Sequence, residues 1–504
     1  MRRRPRSRWS SQARGHFAIS DFARICITAA SGGGGKTLVA LGLCRIFAAA
    51  GLAVKPFKKG PDYIDAAWLA AAAGRPATNL DPFFMDQAAL GQLFVEAMAG
   101  CDLAVIEGNR GLYDGLNESG SCSTSQVARG LMAPLVLCVD CRKVTRTACA
   151  LILGLTSFEQ GLNFAGVILN RVGSPRHAAS LQAAIRGNTD LPVLGCLPRW
   201  QPNPLPERHM GLASAGQGLT CGLEQKLDQI AGFIRDNCDT EAILAAARAA
   251  PQLNIKPAAS SGRLPLKARI GIVRDQALWF YYPENLAALE QAGAEIRELS
   301  LLDASSANHA AWREVDGIYL GGGFPEDYCA EISGSPFLAS LRKYAASGMP
   351  IYAECGGMIV LASRFWRRDR AWLMAGVLDH DMIWTDRPQG LGYVEARVCG
   401  ANPWYEQGSL LRGHEFHYAR SAQCGSALEL LRGAGTGRNA AGHAGDGFCK
   451  GRVWASFMHI FAPAVPQWAD AFVRLAAQYR SESASDADHL AACDGSAPAL
   501  GQNV

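Results

Sequence analysis

One cysteine of the chain stands where a nucleophile could be presented to a substrate. In PIYAECGGMIVL (350–361), a short apolar run predicts a buried strand, and Cys355 follows it before two glycines. A thiol reacts as its thiolate, and a strand-to-helix turn exposes the sulfur while the helix N-terminus stabilises the anion. Gly356 and Gly357 would let backbone N–H groups approach an oxyanion. The pattern predicts a catalytic Cys355, with simple packing of the thiol as the alternative.

A nucleophilic thiol needs a base, and three histidines are candidates. His459 lies in the strand-like run WASFMHIFAP, where a buried polar side chain needs a reason. His414 and His417, in RGHEFHYAR, are harder to separate from structural or substrate-facing roles. The stretch GGGFPE (321–326) ends an earlier strand and could form the other side of the pocket. We therefore predict that His459 is the base, with a satisfied core histidine as the alternative.

A glycine-rich loop near the start of the chain predicts a nucleotide site. ICITAASGGGGKTLVALGL places a glycine run and Lys-Thr between a strand and a helix, as in a P-loop, although Ala30 stands where the first glycine is usual. Backbone N–H groups and the helix N-terminus would face a phosphate, the lysine would reach the β and γ phosphates, and the threonine would hold Mg²⁺. The predicted phosphate-binding residues are Gly32, Gly33, Gly34, Gly35, Lys36 and Thr37.

Acidic residues near two other strand ends could complete this site. Glu107 ends the run LAVIEG and is a candidate Mg²⁺ ligand, and Asp114 follows in the next loop. Asp62 and Asp65 lie in KPFKKGPDYID beside lysines 55, 58 and 59. Mixed charges on a Gly-Pro loop suit an anionic substrate and a metal, with a solvated turn as the alternative.

The elements that must hold these residues alternate between strand and helix. Apolar strand-like runs occur at 25–30, 103–108, 133–140, 165–170 and 192–198, with helical patterns such as KTLVALGLCRIFAAAG between them. A second series begins at residue 268 and includes 316–323, 350–357 and 451–461. Strands that alternate with helices indicate a parallel sheet covered on both faces. The predicted fold class is α/β, with two such domains.

Composition sets the domain limits. The predicted divisions are a basic tail (1–22), a first domain (23–253), a linker (254–268), a second domain (269–480) and a disordered tail (481–504). The linker is rich in proline and small residues, and the tail has few large apolar ones. The cluster MRRRPRSR lacks the apolar core of a signal peptide, so its alternatives are a mitochondrial-type leader or a frayed start.

The same composition argues against several classes of protein. The net charge of +4 over 504 residues does not indicate a nucleic-acid partner. No run reaches about 18 uninterrupted apolar residues, so no membrane partner is expected. Sixteen irregularly spaced cysteines fit a reducing cytoplasm better than a disulfide framework. The oligomeric state stays open, with a homodimer as one alternative.

Ten ordered motifs resemble those of the cobyrinic acid a,c-diamide synthase family. They span roughly residues 24 to 478. The motifs are SGGGGKT, PFKKGPDYID, NLDPFFM, VIEGNRGLYDG, ILNRVGSPRH, LPERHMGL, YYPENL, YLGGGFPE, YAECGGM and GHEFHY. The resemblance implies a P-loop domain like dethiobiotin synthetase, followed by a class I glutamine amidotransferase domain. It also implies ATP with Mg²⁺, glutamine as nitrogen donor and a corrinoid tetrapyrrole as substrate.

The resemblance also implies residue roles. Cys355 would be the glutaminase nucleophile and His459 its base, while Asn170 in LNRV would read adenine. Lys36 and Thr37 would bind ATP and Mg²⁺, with Glu107 as a further ligand. The acidic positions of the carboxylate-activation site would be Asp62, Asp65 and Asp114. Phe461 stands two residues after the histidine, where class I amidotransferases commonly carry Glu, so a Cys-His dyad is implied.

The implied reaction amidates the a and c acetate groups of cobyrinate through acyl phosphates. Hydrogenobyrinate and a nickel sirohydrochlorin remain alternative substrates, since no motif separates these anionic tetrapyrroles. A partition-type or regulatory P-loop ATPase is the alternative from another class. Ser31 stands where those ATPases carry their signature lysine, which argues against it.

Overall fold

The computed structural model describes residues 22–201, 221–255, 264–307, 309–438 and 442–494. These residues form two compact units, one up to residue 255 and the other from residue 264. Most of the basic N-terminal segment, the motif LPERHMGL and residues 256–263 of the expected linker lie outside the described residues. No helix in the described ranges combines the length and apolarity that crossing a membrane requires.

The first unit is built on a seven-stranded sheet with the order β3-β2-β4-β1-β5-β6-β7, in which every pairing is parallel. Its strands are β1 (Ala23–Ala29), β2 (Val54–Lys59), β3 (Thr78–Leu80), β4 (Leu103–Glu107), β5 (Leu135–Asp140), β6 (Phe164–Val172) and β7 (Val193–Pro198). Its helices are α1 (Lys36–Ala49), α2 (Ile64–Ala73), α3 (Gln87–Ala97), α4 (Thr124–Gly130), α5 (Arg146–Phe158), α6 (Pro175–Arg186), α7 (Cys221–Asn237) and α8 (Thr240–Arg248).

The sequence explains why this sheet forms and what its edge presents. Strands β4 and β5 are almost entirely buried, as expected of central strands covered by helices on both faces. Parallel strands end at the same edge of a sheet, and ligands of open α/β sheets bind at that edge. The carboxyl ends of β1, β2, β4 and β6 therefore bring the glycine loop, Lys58, Glu107 and Asn170 to a common edge.

The second unit contains a six-stranded sheet with the order β10-β8-β11-β13-β24-β23. It is parallel except for β23, which pairs antiparallel to β24. The strands of the unit are β8 (Ala268–Val273), β9 (Leu278–Phe280), β10 (Ala294–Leu299), β11 (Gly317–Leu320), β12 (Gly322–Gly323), β13 (Ile351–Glu354), β14 (Arg364–Arg367), β15 (Arg370–Leu373), β16 (Met382–Trp384), β17 (Gly390–Val398), β18 (Leu410–His417), β19 (Ala419–Ser421), β20 (Leu428–Arg432), β21 (Gly437–Arg438), β22 (Ala444–Asp446), β23 (Phe448–Lys450), β24 (Val453–Ser456) and β25 (His459–Ile460). The helices are α9 (Pro283–Gln291), α10 (His309–Arg313), α11 (Cys329–Ser333), α12 (Phe337–Ala346), α13 (Gly356–Leu361) and α14 (Gln467–Asp494).

An antiparallel sheet accompanies the parallel one in this unit. Its order is β21-β22-β20-β17-β18-β25, and a smaller four-stranded sheet has the order β15-β14-β16-β19. Strand β18 pairs with β25 so that His414 lies opposite His459. The aromatic residues Trp404, Trp454 and Trp468 are fully buried in a core shared by both larger sheets. The structure confirms the predicted α/β class. The antiparallel sheet was not predicted from the sequence.

The C-terminal end of the unit differs from the sequence expectation. A disordered tail is expected from residue 481, but α14 continues through Asp494. The segment after Ser481 is rich in alanine, serine and charged residues, and alanine favours continuation of an existing helix at no packing cost. Arg452 adds a contact, because it forms an ion pair with Glu482 at 2.7 Å.

Candidate active sites

The glycine loop between β1 and α1 adopts a conformation that requires glycine. Gly33 and Gly35 have positive φ angles of 70° and 103°. A Cβ at Gly35 would lie 2.2 Å from Nδ2 of Asn170, so the loop and the end of β6 approach too closely for a side chain. Gly32 has no atom within 4 Å of an added Cβ. The loop thus exposes backbone at the N-terminus of α1, as phosphate binding requires.

Asn170 contacts the loop directly. Its Nδ2 donates to the carbonyl of Gly34 at 2.9 Å, and its Oδ1 accepts from the backbone N–H of Arg171 at 2.9 Å. Both ends of the amide are therefore engaged within the protein. The structure places Asn170 beside the phosphate loop, and adenine recognition stays a prediction.

Lys36 spans the loop. Its Nζ donates to the carbonyls of Ser31 at 3.1 Å and Arg110 at 2.5 Å. Burial lowers the pKa of Lys36, and the nearby positive charge of Lys58 lowers it further. A phosphate that replaced these carbonyls would supply the negative charge that the ammonium group lacks here.

A buried charge cluster lies next to the loop. Oγ1 of Thr37 donates to Oε1 of Glu107 at 2.6 Å, and Nζ of Lys58 lies 3.0 Å from the same oxygen. Lys58 also pairs with Asp65 at 2.6 Å and lies 3.9 Å from Asp62. Glu107 is fully buried and Lys58 is 2% exposed, so this ammonium group is a built-in counterion for three carboxylates.

The cluster shifts the acidities of its members. Burial raises the pKa of Glu107 to about 7, although Lys58 opposes this shift. Burial and the neighbouring Asp65 carboxylate raise the pKa of Asp62 to about 6. Burial also acts on Asp65, but the charge and hydrogen bond of Lys58 outweigh it and lower the pKa. The site therefore holds carboxylates that titrate near neutral pH until further positive charge arrives.

The donor set fits a hard cation. Oε2 of Glu107 is buried and has no hydrogen-bond partner within the described part of the chain. Such an orphaned carboxylate oxygen, beside the Thr37 hydroxyl at the end of a P-loop, is the ligand chemistry that Mg²⁺ prefers.

Asp114 lies apart from this cluster. It is exposed, and its Oδ2 accepts from the backbone N–H of Gly111 at 2.8 Å. The bond closes the turn that carries the carbonyl of Arg110 to Lys36. No ion pair between Asp114 and Lys58 occurs among the residues that the structure describes. The structure therefore brings together Asp62, Asp65 and Glu107, whereas Asp114 shapes the adjoining loop.

In the second unit, Cys355 forms a strained elbow between β13 and α13. Its φ of 47° and ψ of −101° are rare for a residue with a side chain, and such strain clusters at active sites. Sγ lies 3.5 Å from the carbonyl of Phe416. Burial raises the pKa of Cys355, and Glu326 raises it further, while a backbone hydrogen bond with Gly356 opposes the shift. The resting thiol is therefore protonated and depends on a base.

The two glycines after the cysteine have different tasks. The N–H of Gly357 donates to the carbonyl of Gly321 at 3.0 Å, and an added Cβ would lie 2.4 Å from the carbonyl oxygen of Leu320. The expectation that the N–H of Gly357 faces an oxyanion is therefore wrong, because this N–H is bonded to Gly321, the residue that follows β11. A Cβ at Gly356 would lie 3.1 Å from the backbone nitrogen of Gly323, so these two N–H groups flank the elbow.

His459 lies on β25, fully buried beside the GGGFPE stretch. A Cβ at Gly322 would lie 2.4 Å from its Cε1. Its Nδ1 lies 3.4 Å from Oε2 of Glu354, the residue before the cysteine. Gly322 thus lies against the imidazole, and Gly323 lies against Gly356 in the cysteine elbow. This agrees with the prediction that GGGFPE forms the other side of the pocket.

The other two histidines differ in the groups that surround them. The His414 ring stacks on His459, with centroids 4.8 Å apart, and burial keeps its pKa well below the usual value. His417 stacks on Phe457 with ring centroids 3.7 Å apart, and its Nδ1 donates to the carbonyl of Ala419 at 2.7 Å. His414 therefore belongs to the surroundings of the predicted base, and His417 anchors strand ends.

Two functional candidates are missed at the level of sequence. Lys58 is one of three lysines near the acidic pair, and its signal is the strand register that sets it opposite Glu107. Glu354 directly precedes the cysteine, but no sequence spacing links it to the histidine. Both positions become evident only when neighbouring strands are paired.

The fold and the sites define a class: a glutamine amidotransferase unit fused to a nucleotide-binding unit. Residues 25–212 match the CobQ/CobB/MinD/ParA nucleotide binding domain, and residues 269–465 match the CobB/CobQ-like glutamine amidotransferase domain. The chain is 38% identical over 463 residues to a cobyrinate a,c-diamide synthase of Magnetococcus marinus, covering 90% of this chain and 96% of the relative.

Two further relatives agree. A cobyrinate a,c-diamide synthase of Dehalococcoides mccartyi is 36% identical, with 91% of this chain and 99% of the relative covered. A hydrogenobyrinate a,c-diamide synthase of Rhodobacter capsulatus is 39% identical, with 87% and 98% covered. The chain belongs to the cobyrinate a,c-diamide synthase family, which confirms the resemblance carried by the motifs.

Proposed function

We propose that the chain uses ATP and glutamine to amidate the a and c acetate carboxylates of cobyrinate, in cobalamin biosynthesis. The observation that carries this proposal is the pairing, in one chain, of the Thr37–Glu107–Lys58 cluster at a phosphate loop with the strained Cys355 elbow, which lies against Gly323 as His459 lies against Gly322. The near full-length similarity to synthases of this name supports the substrate class.

Hydrogenobyrinate, the cobalt-free ring, is the second candidate substrate. The Rhodobacter capsulatus relative named for it is as similar to this chain as the relatives named for cobyrinate. Both rings carry the same acetate groups, so the site chemistry would be unchanged. Mass spectrometry of products from each purified ring would distinguish them.

The synthase step must make a carboxylate reactive. We propose that a substrate carboxylate oxygen takes the γ-phosphoryl group of ATP, so that ADP leaves and an acyl phosphate forms. Lys36 and the loop N–H groups would offset charge on the transferred group. Ammonia then attacks the carbonyl carbon, phosphate leaves with the C–O electron pair, and a primary amide remains.

The acidic residues would divide this work. Thr37 and Glu107 would hold Mg²⁺, which neutralises phosphate charge when it is bound. Lys58, held by Asp65 at 2.6 Å, would face the anionic groups that enter the cluster. Asp62 accepts the backbone N–H of Asp65 at 2.9 Å and so fixes the start of α2 at the site.

The glutaminase step would supply the ammonia. Sγ of Cys355 attacks the side-chain amide carbon of glutamine while His459 takes the thiol proton and then delivers it to the departing ammonia. A glutamyl thioester remains, and water hydrolyses it to glutamate and free thiol. The unpaired thiols among the described residues support a reducing, cytoplasmic setting for this chemistry.

Replacement of the nucleophile tests this division of labour. Cys355→Ala should abolish glutamine-dependent amidation, by a factor of about 10³ or more, and leave amidation with added ammonium salt near the wild-type rate. Cys329→Ala is the matched control, because Cys329 is also a buried thiol of the same unit. Loss of both activities in a folded Cys355→Ala protein would refute the proposal.

A further inference from the structure

The carboxylate of Glu354 lies at the imidazole of His459 and has no role in the reaction as described above. Glu354 is the last residue of β13, and it is completely buried. We propose that Glu354 is the positioning residue of the glutaminase: it orients His459 and lies beside the positive charge that the imidazole acquires when it takes the thiol proton. This inference rests on the proposed glutaminase function of Cys355 and names the third member of that site.

Two donors fix the Glu354 carboxylate, and the imidazole lies beside it. Oε1 accepts from the backbone N–H of Ile460 at 3.1 Å, and Oε2 accepts from the Tyr319 hydroxyl at 3.0 Å. Oε2 also lies 3.4 Å from Nδ1 of His459. Burial of a carboxylate costs free energy unless the carboxylate accepts hydrogen bonds. The hydrogen bond to Ile460 joins the carboxylate to the residue that follows the histidine. The position of the carboxylate relative to the imidazole is therefore fixed through the backbone.

This arrangement selects one tautomer of the imidazole. A carboxylate accepts hydrogen bonds only, so it favours a proton on Nδ1 and leaves Nε2 of His459 with the lone pair that a base needs. When Nε2 takes the thiol proton, the resulting cation lies beside a fixed negative charge in a buried site. The distance of 3.4 Å is typical of a resting site that tightens when substrate binds.

The other groups described around the site differ from Glu354 in what they contact. His414 stacks on the face of the ring and is held neutral by burial, while the Tyr282 hydroxyl lies 3.4 Å from Nδ1 of His414. Glu326, Glu354 and Asp446 each raise the pKa of Cys355 through their charge. Because several charged groups act on the thiol, the test must change Glu354 alone.

The experiment compares Glu354→Gln, Glu354→Asp and Tyr319→Phe in the full chain. Glutamine keeps the shape but presents an amide N–H₂ that favours the wrong tautomer. We expect its glutaminase kcat/KM to fall about a hundredfold or more. Its activity should keep rising at alkaline pH, where the thiol can ionise without the base and the wild type has reached its plateau. Ammonium-dependent amidation should be unchanged.

The two other variants separate positioning from structure. Glu354→Asp keeps the charge and should retain the wild-type pH profile, with a loss smaller than that of Glu354→Gln. Tyr319→Phe removes a donor to Oε2 and an acceptor for Nδ2 of Asn285 but keeps the Glu354 charge, so a loss below about tenfold is expected.

Several outcomes would overturn the inference. A folded Glu354→Gln protein with the wild-type rate and pH profile would do so, as would an Asp variant that is impaired as much as the Gln variant. If Glu354→Gln does not fold, an altered pH profile in Glu354→Asp would equally overturn it. A wild-type chain without glutaminase activity would instead refute the proposed function.

Discussion

At the scale of single residues, Lys58 shows how a buried charge can be stabilised by several partners. A lysine with 2% exposure is costly unless it is paired, and this one lies within 3.0 Å of both Glu107 and Asp65. Lys58 also opposes the effect of burial on Glu107, whose pKa is about 7 rather than the usual 4.5. The lysine therefore favours the ionised form of a proposed metal ligand.

Removal of this lysine should disable synthesis and not glutamine hydrolysis. In Lys58→Met, the pKa of Glu107 should rise above its present value, so the carboxyl would be protonated at pH 7. We expect ammonium-dependent amidation to fall at least about a hundredfold at pH 7 and to recover partly as pH rises. A folded variant whose amidation kept the wild-type rate and pH dependence would contradict the proposed role.

The same change has a signature in stability. A carboxyl whose folded-state pKa lies above its unfolded-state pKa weakens the fold as pH rises through that interval. For Glu107 the interval runs from 4.5 to about 7, and loss of Lys58 should extend it upward. The unfolding midpoint of Lys58→Met should therefore fall more steeply with pH than that of Lys55→Met. Lys55 is the matched control, since it is a lysine of the same strand whose Nζ donates to the carbonyl of Pro76.

At the scale of elements, the turn between β1 and α1 determines whether phosphate can bind. Gly35→Ala combines a strained φ of 103° with a Cβ at 2.2 Å from Nδ2 of Asn170, so the loop must shift. We expect nucleotide affinity to fall at least about tenfold, measured by titration with a non-hydrolysable ATP analogue. Gly32→Ala is the control, because its Cβ meets open space. Equal affinities in the two variants would contradict this account of the loop.

The elements also show how far the sequence alone could be taken. The strands that precede Lys36 and Cys355, and the strand that carries Glu107, were predictable, because each is an apolar run that ends at a glycine turn or a charged residue. The antiparallel sheet was not, since its two long strands, β17 and β18, mix buried with exposed residues, and its other strands have two to five residues. The pairing of β18 with β25 sets His414 opposite His459, and sequence spacing does not encode that register.

The site residues divide in the same way. Residues with a local motif, such as Gly35, Lys36 and Cys355, could be proposed from spacing. Lys58 and Glu354 become candidates through their contacts with residues on other strands, so only the folded chain reveals them. Asp114 is the opposite case. It is an acidic residue near a motif, but its carboxylate accepts a hydrogen bond within its own turn and does not join the cluster.

At the scale of the whole molecule, the two chemistries belong to different compact units. The acidic cluster lies in the unit that ends at residue 255, and Cys355 lies in the unit that begins at residue 264. Each unit has its own sheets and its own buried polar groups. We therefore expect a change of charge in one unit to leave the side-chain arrangement of the other unit intact. The half-reactions should therefore be separable by substitution in either unit.

Asp65→Asn tests this separation from the side of synthesis. The change keeps the volume of the side chain but removes the charge that Lys58 contacts at 2.6 Å. We expect amidation with either nitrogen source to fall about tenfold to a hundredfold, while glutamate release persists. Asp228→Asn is the control, because Asp228 also pairs with a basic residue in this unit but is 65% exposed. An equal fall in glutamate release and amidation would mean that Asp65 supports both sites, and the proposed division between the units would then be wrong.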